Sequence, residues 1–308
     1  GRLPKRPLAP YEQIFDKKNI LYHHGTDALP FTVRGRLTPG YYELPGNVSS
    51  QFISGLLFCL PLLGADSVII PSAPVESEGY IRLTASVMKK YGVIIEEEAG
   101  RLKIPGGQSY TPCRSIVEGD DSQAAFWIAA GTMGGKIICE GLNPQSVQSD
   151  RIMQEFVKEM GGNLRIRGNT LTSSAAPTSG IEIDGSDCPD AIPVLAVLAA
   201  CSEGTTKISK IGRLRYKESD RLHMIAECLN QIGGDAEELP EGLVIQGKQN
   251  LRGGTVSSGN DHRIAMAMAI AAIRCKEPLT ITGAESVNKS YPKFWEDYES
   301  LGGRITRS

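Results

Sequence analysis

The chain predicts an α/β (α+β) protein built from repeated units in two domains. Two observations carry this. An amphipathic helix ending in glycine recurs at KKYG (Gly92), KEMGG (Gly161), NQIGG (Gly233) and ESLGG (Gly302), a period of roughly 70 residues. Each such helix also follows an apolar run and a short β-rich segment, and two short strand-like stretches come after it. Glycine just past a helix supplies the left-handed residue that ends it.

The elements follow in order. LAPYEQIFDKKN with ILYHHG and LPFTVRG reads as the second half of a repeat whose first half is absent. The expectation is that upstream residues have been lost, supplied separately or left out, so that the first domain, residues 1–117, holds one half repeat plus one complete repeat. A boundary near Ile116 to Gly119 opens a second domain, residues 118–308, with three repeats.

FISGLLFCLPLL, AAFWIAAGTM, AIPVLAVLAAC and IAMAMAIAAI are apolar on nearly every side and predict wholly enclosed helices at the domain centres. Each follows a polar cluster: Ser49-Ser50-Gln51, Asp120 to Gln123, Asp187 to Asp190, and Asn260-Asp261-His262-Arg263. N-capping accounts for most of these side chains. The glycine-terminated helices offer Ser149, Ser219 and Ser290 as N-caps, ahead of faces such as Leu222, Ile225, Leu229 and Ile232.

A formal net charge of −2 over 308 residues leaves no global basic surface for nucleic acid or an anionic membrane. Any anion must be held by local groups. The longest apolar run, Gly55 to Leu63, contains Pro61 and falls well short of the about 20 residues that span a bilayer. Seven scattered cysteines show no metal-ligand spacing and read as reduced thiols, which suits a cytoplasmic protein.

Helix N-termini that share a cleft aim unpaired N–H groups at it, so phosphate is the first ligand to consider. Ser49, Ser50 and Gln51 suit such a site, with plain capping as the alternative. Tyr216-Lys217-Glu218-Ser219-Asp220-Arg221 is more pointed: Arg221 sits in a first turn, where the helix dipole disfavours a cation by about 0.3–1 kcal/mol. A solvated ion pair with Asp220 or Glu218 is the alternative. Arg263, heading an apolar helix, repeats the anomaly and needs an anion that capping by Asp261 does not provide. Asp190 and Lys289 occupy comparable positions, whereas His262 alone reads as structural and Arg151 as surface.

The combination VSSQF, CPDA, KESDRL, NDHRIAMA and NKSYPKFW, in this order, resembles the 5-enolpyruvylshikimate-3-phosphate synthases from Arg2 to the C-terminus. The resemblance implies βαβαββ units in two domains, the enolpyruvyl transferase (inside-out α/β barrel) fold, with four complete units and one partial unit in this chain. It implies substrates held between the domains; the shared place of Gln51, Asp190, Glu218, Arg221, Arg263 and Lys289 at helix entries leads to the expectation that they face the cleft between two domains joined near Glu118.

By the same resemblance the enolpyruvyl group of phosphoenolpyruvate passes to the 5-hydroxyl of shikimate 3-phosphate, in the shikimate pathway of aromatic amino acid biosynthesis. Ser49, Ser50, Gln51, Ser77, Tyr80, Asp190 and Lys217 are then ligands of shikimate 3-phosphate. Arg2, Gln51, Arg221, Arg263 and Lys289 surround phosphoenolpyruvate, and Asp190 and Glu218 are catalytic. No metal or organic cofactor is implied.

The chain departs from the family in lacking the N-terminal catalytic lysine, its adjacent serine, a nearby arginine and the LGNAGT-type loop. Turnover by this polypeptide alone is therefore not expected, and the missing segment is an expected partner as a separate chain. Alternatives are a UDP-N-acetylglucosamine enolpyruvyl transferase, whose usual sequence lacks the VSSQ and KESDRL combination, a non-catalytic anion-binding fragment, which leaves Glu218 without a role, and a structural repeat protein.

Overall fold

The structure, a computed structural model, describes residues 8–26, 29–72, 75 and 77–307. Packing divides the chain into two compact units. One comprises residues 1–117 with 147–149, and the other residues 118–146 with 150–308.

The first unit begins with α1 (Ala9–Lys17) and the antiparallel pair β1 (Leu21–His24) and β2 (Phe31–Arg34). A complete repeat follows: β3 (Gly40–Pro45), α2 (Ser50–Cys59), β4 (Ser67–Ser72), α3 (Glu78–Lys90), β5 (Glu96–Glu98) and β6 (Arg101–Ile104). Its sheet runs β3-β4-β6-β5, with β3 parallel to β4 and the remaining pairs antiparallel. The parallel pair needs a crossover, which α2 supplies, while β5 and β6 close as a hairpin. Ile53, Leu57, Leu60, Ile69, Met88 and Ile104 fill the core beneath it.

The second unit contains α4 (Asp121–Gly134), β7 (Lys136–Glu140), α5 (Met153–Glu159), β8 (Asn163–Arg167) and β9 (Thr170–Ser174), with the sheet order β7-β9-β8. Next come β10 (Glu182–Asp184), α6 (Ile192–Ala200), β11 (Thr205–Ser209), α7 (Arg221–Gln231), β12 (Ala236–Leu239) and β13 (Gly242–Gln246). Their order, β10-β11-β13-β12, repeats the topology of the first unit, again with one parallel pair. The last elements are β14 (Gly254–Ser257), α8 (His262–Ala271), β15 (Leu279–Thr282) and α9 (Phe294–Ser300), with β14 parallel to β15.

Among the described residues two repeats show all four strands and both helices, where four complete repeats were expected. In the α4 repeat the segment before the helix makes one backbone contact of the expected kind, Gly119 N–H to Gly141 O at 2.9 Å, and forms no strand among the described residues. The helix-ending glycines Gly92, Gly161, Gly233 and Gly302 all take the left-handed conformation, with φ of +85°, +99°, +86° and +99°.

The enclosed-helix expectation holds for α4, α6 and α8 and fails for α2. Residues Ala124 to Ala130, Ile192 to Ala200 and Ile264 to Ala271 are buried without a break, because α4, α6 and α8 pack against one another. In the first unit α2 buries Ile53, Leu56 and Leu57 but leaves Phe58 exposed, as is Leu62 in the turn that follows. Apolarity all round requires neighbours all round, and the second unit supplies two further apolar helices where the first supplies the amphipathic α3 and, through Tyr11 against Phe52, α1.

The expected serine caps are replaced. Asp220, not Ser219, caps α7 by accepting from His223 N–H at 3.1 Å. Ser149 opens a 3-10 turn (Ser149–Ile152) ahead of α5, and α9 starts only at Phe294, beyond Ser290. Lys289 accordingly closes a 3-10 helix (Ala284–Lys289) and does not head α9. Among the described residues no helix is long and apolar enough to cross a membrane, and no disulfide joins the cysteines.

Candidate functional site

The N-terminal ends of α4, α6 and α8 meet, and the evidence is a set of side-chain bonds between residues far apart in sequence. Asp261 caps α8 by accepting from Arg263 N–H at 2.9 Å, and Asp120 caps α4 by accepting from Ser122 N–H at 2.8 Å. Asp190 does not cap α6, whose first helical residue is Ile192 with Ala191 before it. Its carboxylate instead accepts from Arg221 Nη1 at 2.8 Å through Oδ1 and from Arg263 Nη2 at 3.3 Å through Oδ2.

Arg221 is 1% exposed, and each of its guanidinium nitrogens donates to a carboxylate. Nε donates to Asp261 Oδ2 at 3.0 Å and Nη2 to Glu218 Oε2 at 2.7 Å, in addition to the bond to Asp190. A buried arginine in a first helical turn survives because three carboxylates surround it. Arg263 is held by α4: Nη1 donates to Ser122 O at 3.0 Å and Nη2 to Ser122 Oγ at 2.9 Å, over the Phe126 ring. Its Nε is buried and has no hydrogen-bond partner among the described residues, a costly state for a charged donor. Ser219 Oγ donates to Asp261 Oδ2 at 3.0 Å.

Electrostatics follow from this packing. Burial pushes the Asp190 carboxyl up, but Arg263, Arg221 and Lys217 outweigh it and hold the group well below the usual carboxylate range. Asp261 behaves alike, burial being overcome by Arg221. Burial lowers the Lys217 ammonium, opposed by Asp190 and reinforced by Arg221 and Arg213. His262 is likewise lowered by burial and then by Arg263, which favours a neutral ring.

Lys289 lies beside this cluster: Nζ donates to the Asn260 carbonyl and, at 2.8 Å, to Asn260 Oδ1, one residue before Asp261. The second unit thus brings together Asp190, Lys217, Glu218, Arg221 and Arg263 and sets Lys289 next to them. Arg213, Lys217, Arg221, Arg263 and Lys289 stand against the carboxylates Asp190, Glu218 and Asp261, a cationic excess suited to anions.

The first unit carries the other expected ligands. Ser49 caps α2, its Oγ accepting from Gln51 N–H at 3.3 Å; Ser50 is the first helical residue and Gln51 is exposed. Ser77 precedes α3 in the left-handed region at φ +55° and is buried, and Tyr80 N–H donates to its carbonyl at 3.0 Å. A non-glycine residue at such a φ is uncommon, and it fixes the start of α3. Arg2 lies outside the described residues.

Asp261, Ser122 and Asn260 had been assigned to capping, and their second task escaped the sequence. The available signal was an aspartate next to an arginine that has no local anion of its own. Among the described residues no group of histidines, cysteines and carboxylates is placed to hold a metal ion.

Comparison with known proteins places this geometry in context. Residues 2–298 match a family model described as EPSP synthase (3-phosphoshikimate 1-carboxyvinyltransferase). The chain is 50% identical over 307 residues to a 3-phosphoshikimate 1-carboxyvinyltransferase of Clostridium acetobutylicum, an alignment covering 99% of this chain and 71% of the relative. It is 44% identical to the Clostridioides difficile protein of the same name, with 99% and 70% covered. Among solved structures, an EPSP synthase from Acinetobacter baumannii matches with a TM-score of 0.80 at 26% identity, over 97% of this chain and 72% of that one. An enolpyruvyl transferase from Streptomyces tendae, at 17% identity and a TM-score of 0.80, covers 99% and 73% and shares the fold.

Proposed function

The chain belongs to the EPSP synthase family, whose activity is 3-phosphoshikimate 1-carboxyvinyl transfer in the shikimate pathway, and on that premise we propose how its residues divide the work. The observation that carries the reading is the joined set Asp190, Glu218, Arg221 and Arg263 at converging helix N-termini. Cations and N–H dipoles favour bound phosphate, and the carboxylates among them can move protons.

In this reading Arg221, Arg263 and Lys289, with Arg2 and Gln51, hold phosphoenolpyruvate. Ser49, Ser50, Gln51, Ser77, Tyr80, Asp190 and Lys217 hold shikimate 3-phosphate. The shikimate 5-oxygen forms a bond to C2 of phosphoenolpyruvate while Glu218 delivers a proton to C3. Asp190, kept ionised by its arginines, accepts a hydrogen bond from the 5-hydroxyl and orients its oxygen, and the hydroxyl proton passes to the phosphate that leaves. Glu218 then takes a proton back from C3, the C2–C3 double bond re-forms, and phosphate leaves with the C2–O electron pair. Arg221 and Arg263 stabilise the charge that accumulates on departing phosphate.

Steady-state phosphate release from the two substrates tests the reading, and release that needs Asp190 and Glu218 supports it. A cytoplasmic location belongs to the same proposal and is tested by cell fractionation. So does a partner: a polypeptide comprising the part of the Clostridium acetobutylicum relative that this chain does not span. Its addition in trans should raise phosphate release, and an unchanged rate argues against that partner.

A further inference from the structure

Arg215 and Asp220 flank the segment Tyr216-Lys217-Glu218-Ser219, and their side chains meet across it, Nη1 lying 3.3 Å from Oδ2 and 3.5 Å from Oδ1. The ion pair thus closes the base of the loop that presents Lys217 and Glu218. The same guanidinium is bolted to the β12–β13 hairpin: Nη1 donates to Glu238 Oε1 at 2.6 Å, Nη2 to the Leu239 carbonyl at 3.0 Å and Nε to the Pro240 carbonyl at 3.3 Å. That hairpin is in register from Ala236 opposite Ile245 to Leu239 opposite Gly242, so it is a rigid support. The second oxygen of Glu238 is held by His223 Nδ1 at 2.8 Å, and Asp220 caps α7.

We propose that Arg215 is a positioning residue for the transfer reaction, fixing Lys217 and Glu218 relative to Arg221 without touching substrate itself. This rests on the site reading given above. Among the described residues Arg215 bonds Asp220, Glu238 and two turn carbonyls, none of them in the Asp190 cluster, while the loop between Arg215 and Asp220 carries two members of that cluster. A guanidinium fork reaches three directions at once, and a lysine ammonium retains charge without that fork. Arginine is therefore specifically suited here, and lysine replaces it only in part.

Hydrogen exchange by mass spectrometry on the full chain tests this, comparing Arg215→Ala, Arg215→Lys and Glu238→Gln with the unaltered protein. Lys210→Ala, which removes the exposed 2.6 Å pair with Asp184 in the same unit, is the control. Arg215→Ala should raise exchange of the 216–221 amides about tenfold while α8 stays protected, with the other two Arg215 and Glu238 variants intermediate and the control unchanged. Unchanged 216–221 amides, or equal loosening of α8, overturns the proposal; if Arg215→Ala does not fold, Glu238→Gln decides on the same criterion. Binding of shikimate 3-phosphate, followed by calorimetry, should weaken at least fivefold in Arg215→Ala and recover partly in Arg215→Lys. Failure of the unaltered chain to bind it counts against the site reading, and the exchange comparison still decides the positioning role.

Discussion

Asp190 joins Arg221 and Arg263 through opposite oxygens of one carboxylate, at 2.8 and 3.3 Å, and so ties the start of α7 to the start of α8 in front of α6. Both guanidiniums are almost wholly buried, and Asp190 is the anion they share.

Replacing Asp190 with alanine leaves these two cations facing each other. Breaking a buried pair costs about 3–5 kcal/mol, and partial exposure of Asp190 reduces this to about 2 kcal/mol. Urea denaturation of Asp190→Ala should show that loss, and millimolar inorganic phosphate should restore part of it by supplying an anion. A loss indifferent to phosphate argues against an anion site at the two arginines.

Asp261→Asn removes a carboxylate that is 0% exposed and bonds Arg221 and Ser219 while capping α8. A loss of about 3–5 kcal/mol is expected at pH 7. The folded Asp261 titrates below its ordinary 3.8, so its contribution is present above about pH 4 and disappears as pH falls through the lower folded value. Urea midpoints measured against pH should therefore separate the two proteins at neutrality and bring them together in strong acid.

Asp121 gives the opposite sign. It is 2% exposed, and burial raises its carboxyl from 3.8 to about 6 despite the Gln154 amide donating at 3.2 Å and the nearby Arg151. Between those values the folded state holds more protons than the unfolded state, so stability falls as pH rises from about 4 to 6. Asp121→Asn keeps an acceptor for Gln154 and should gain about 2 kcal/mol at pH 7, with no gain below pH 4. Thermal melts at pH 4 and pH 7 check both halves.

Glu218→Gln tests chemistry apart from binding. The amide oxygen still accepts from Arg221 Nη2, now 2.7 Å from the carboxylate, while proton transfer at C3 is lost. Turnover by the chain supplemented in trans with the partner polypeptide should fall by about 10²–10⁴ with shikimate 3-phosphate affinity little changed, as read by initial rates and calorimetry on the same preparation. An equal loss in both quantities would make Glu218 a binding group.

Local sequence determined a good deal. Repeat phase and helix ends were legible because glycine must occupy the left-handed position after each amphipathic helix, and Gly92, Gly161, Gly233 and Gly302 do so. Arg221 and Arg263 stood out because a cation at a helix N-terminus opposes the backbone dipole, which any sequence reading can see. Glu218 is a local counter-ion of Arg221 that the sequence offers, and tertiary structure supplied the remaining partners. Arg263 bonds Ser122, 141 residues away, and Arg221 bonds Asp261, 40 residues away, so no local pattern contains either partner. It also decided that Asp190 bridges where capping was its default, that Asp220 displaced Ser219 as cap, and that α2 keeps one side in water. A pattern of apolar residues states how much surface a helix can bury, and only the neighbours that fold against it determine how much it does.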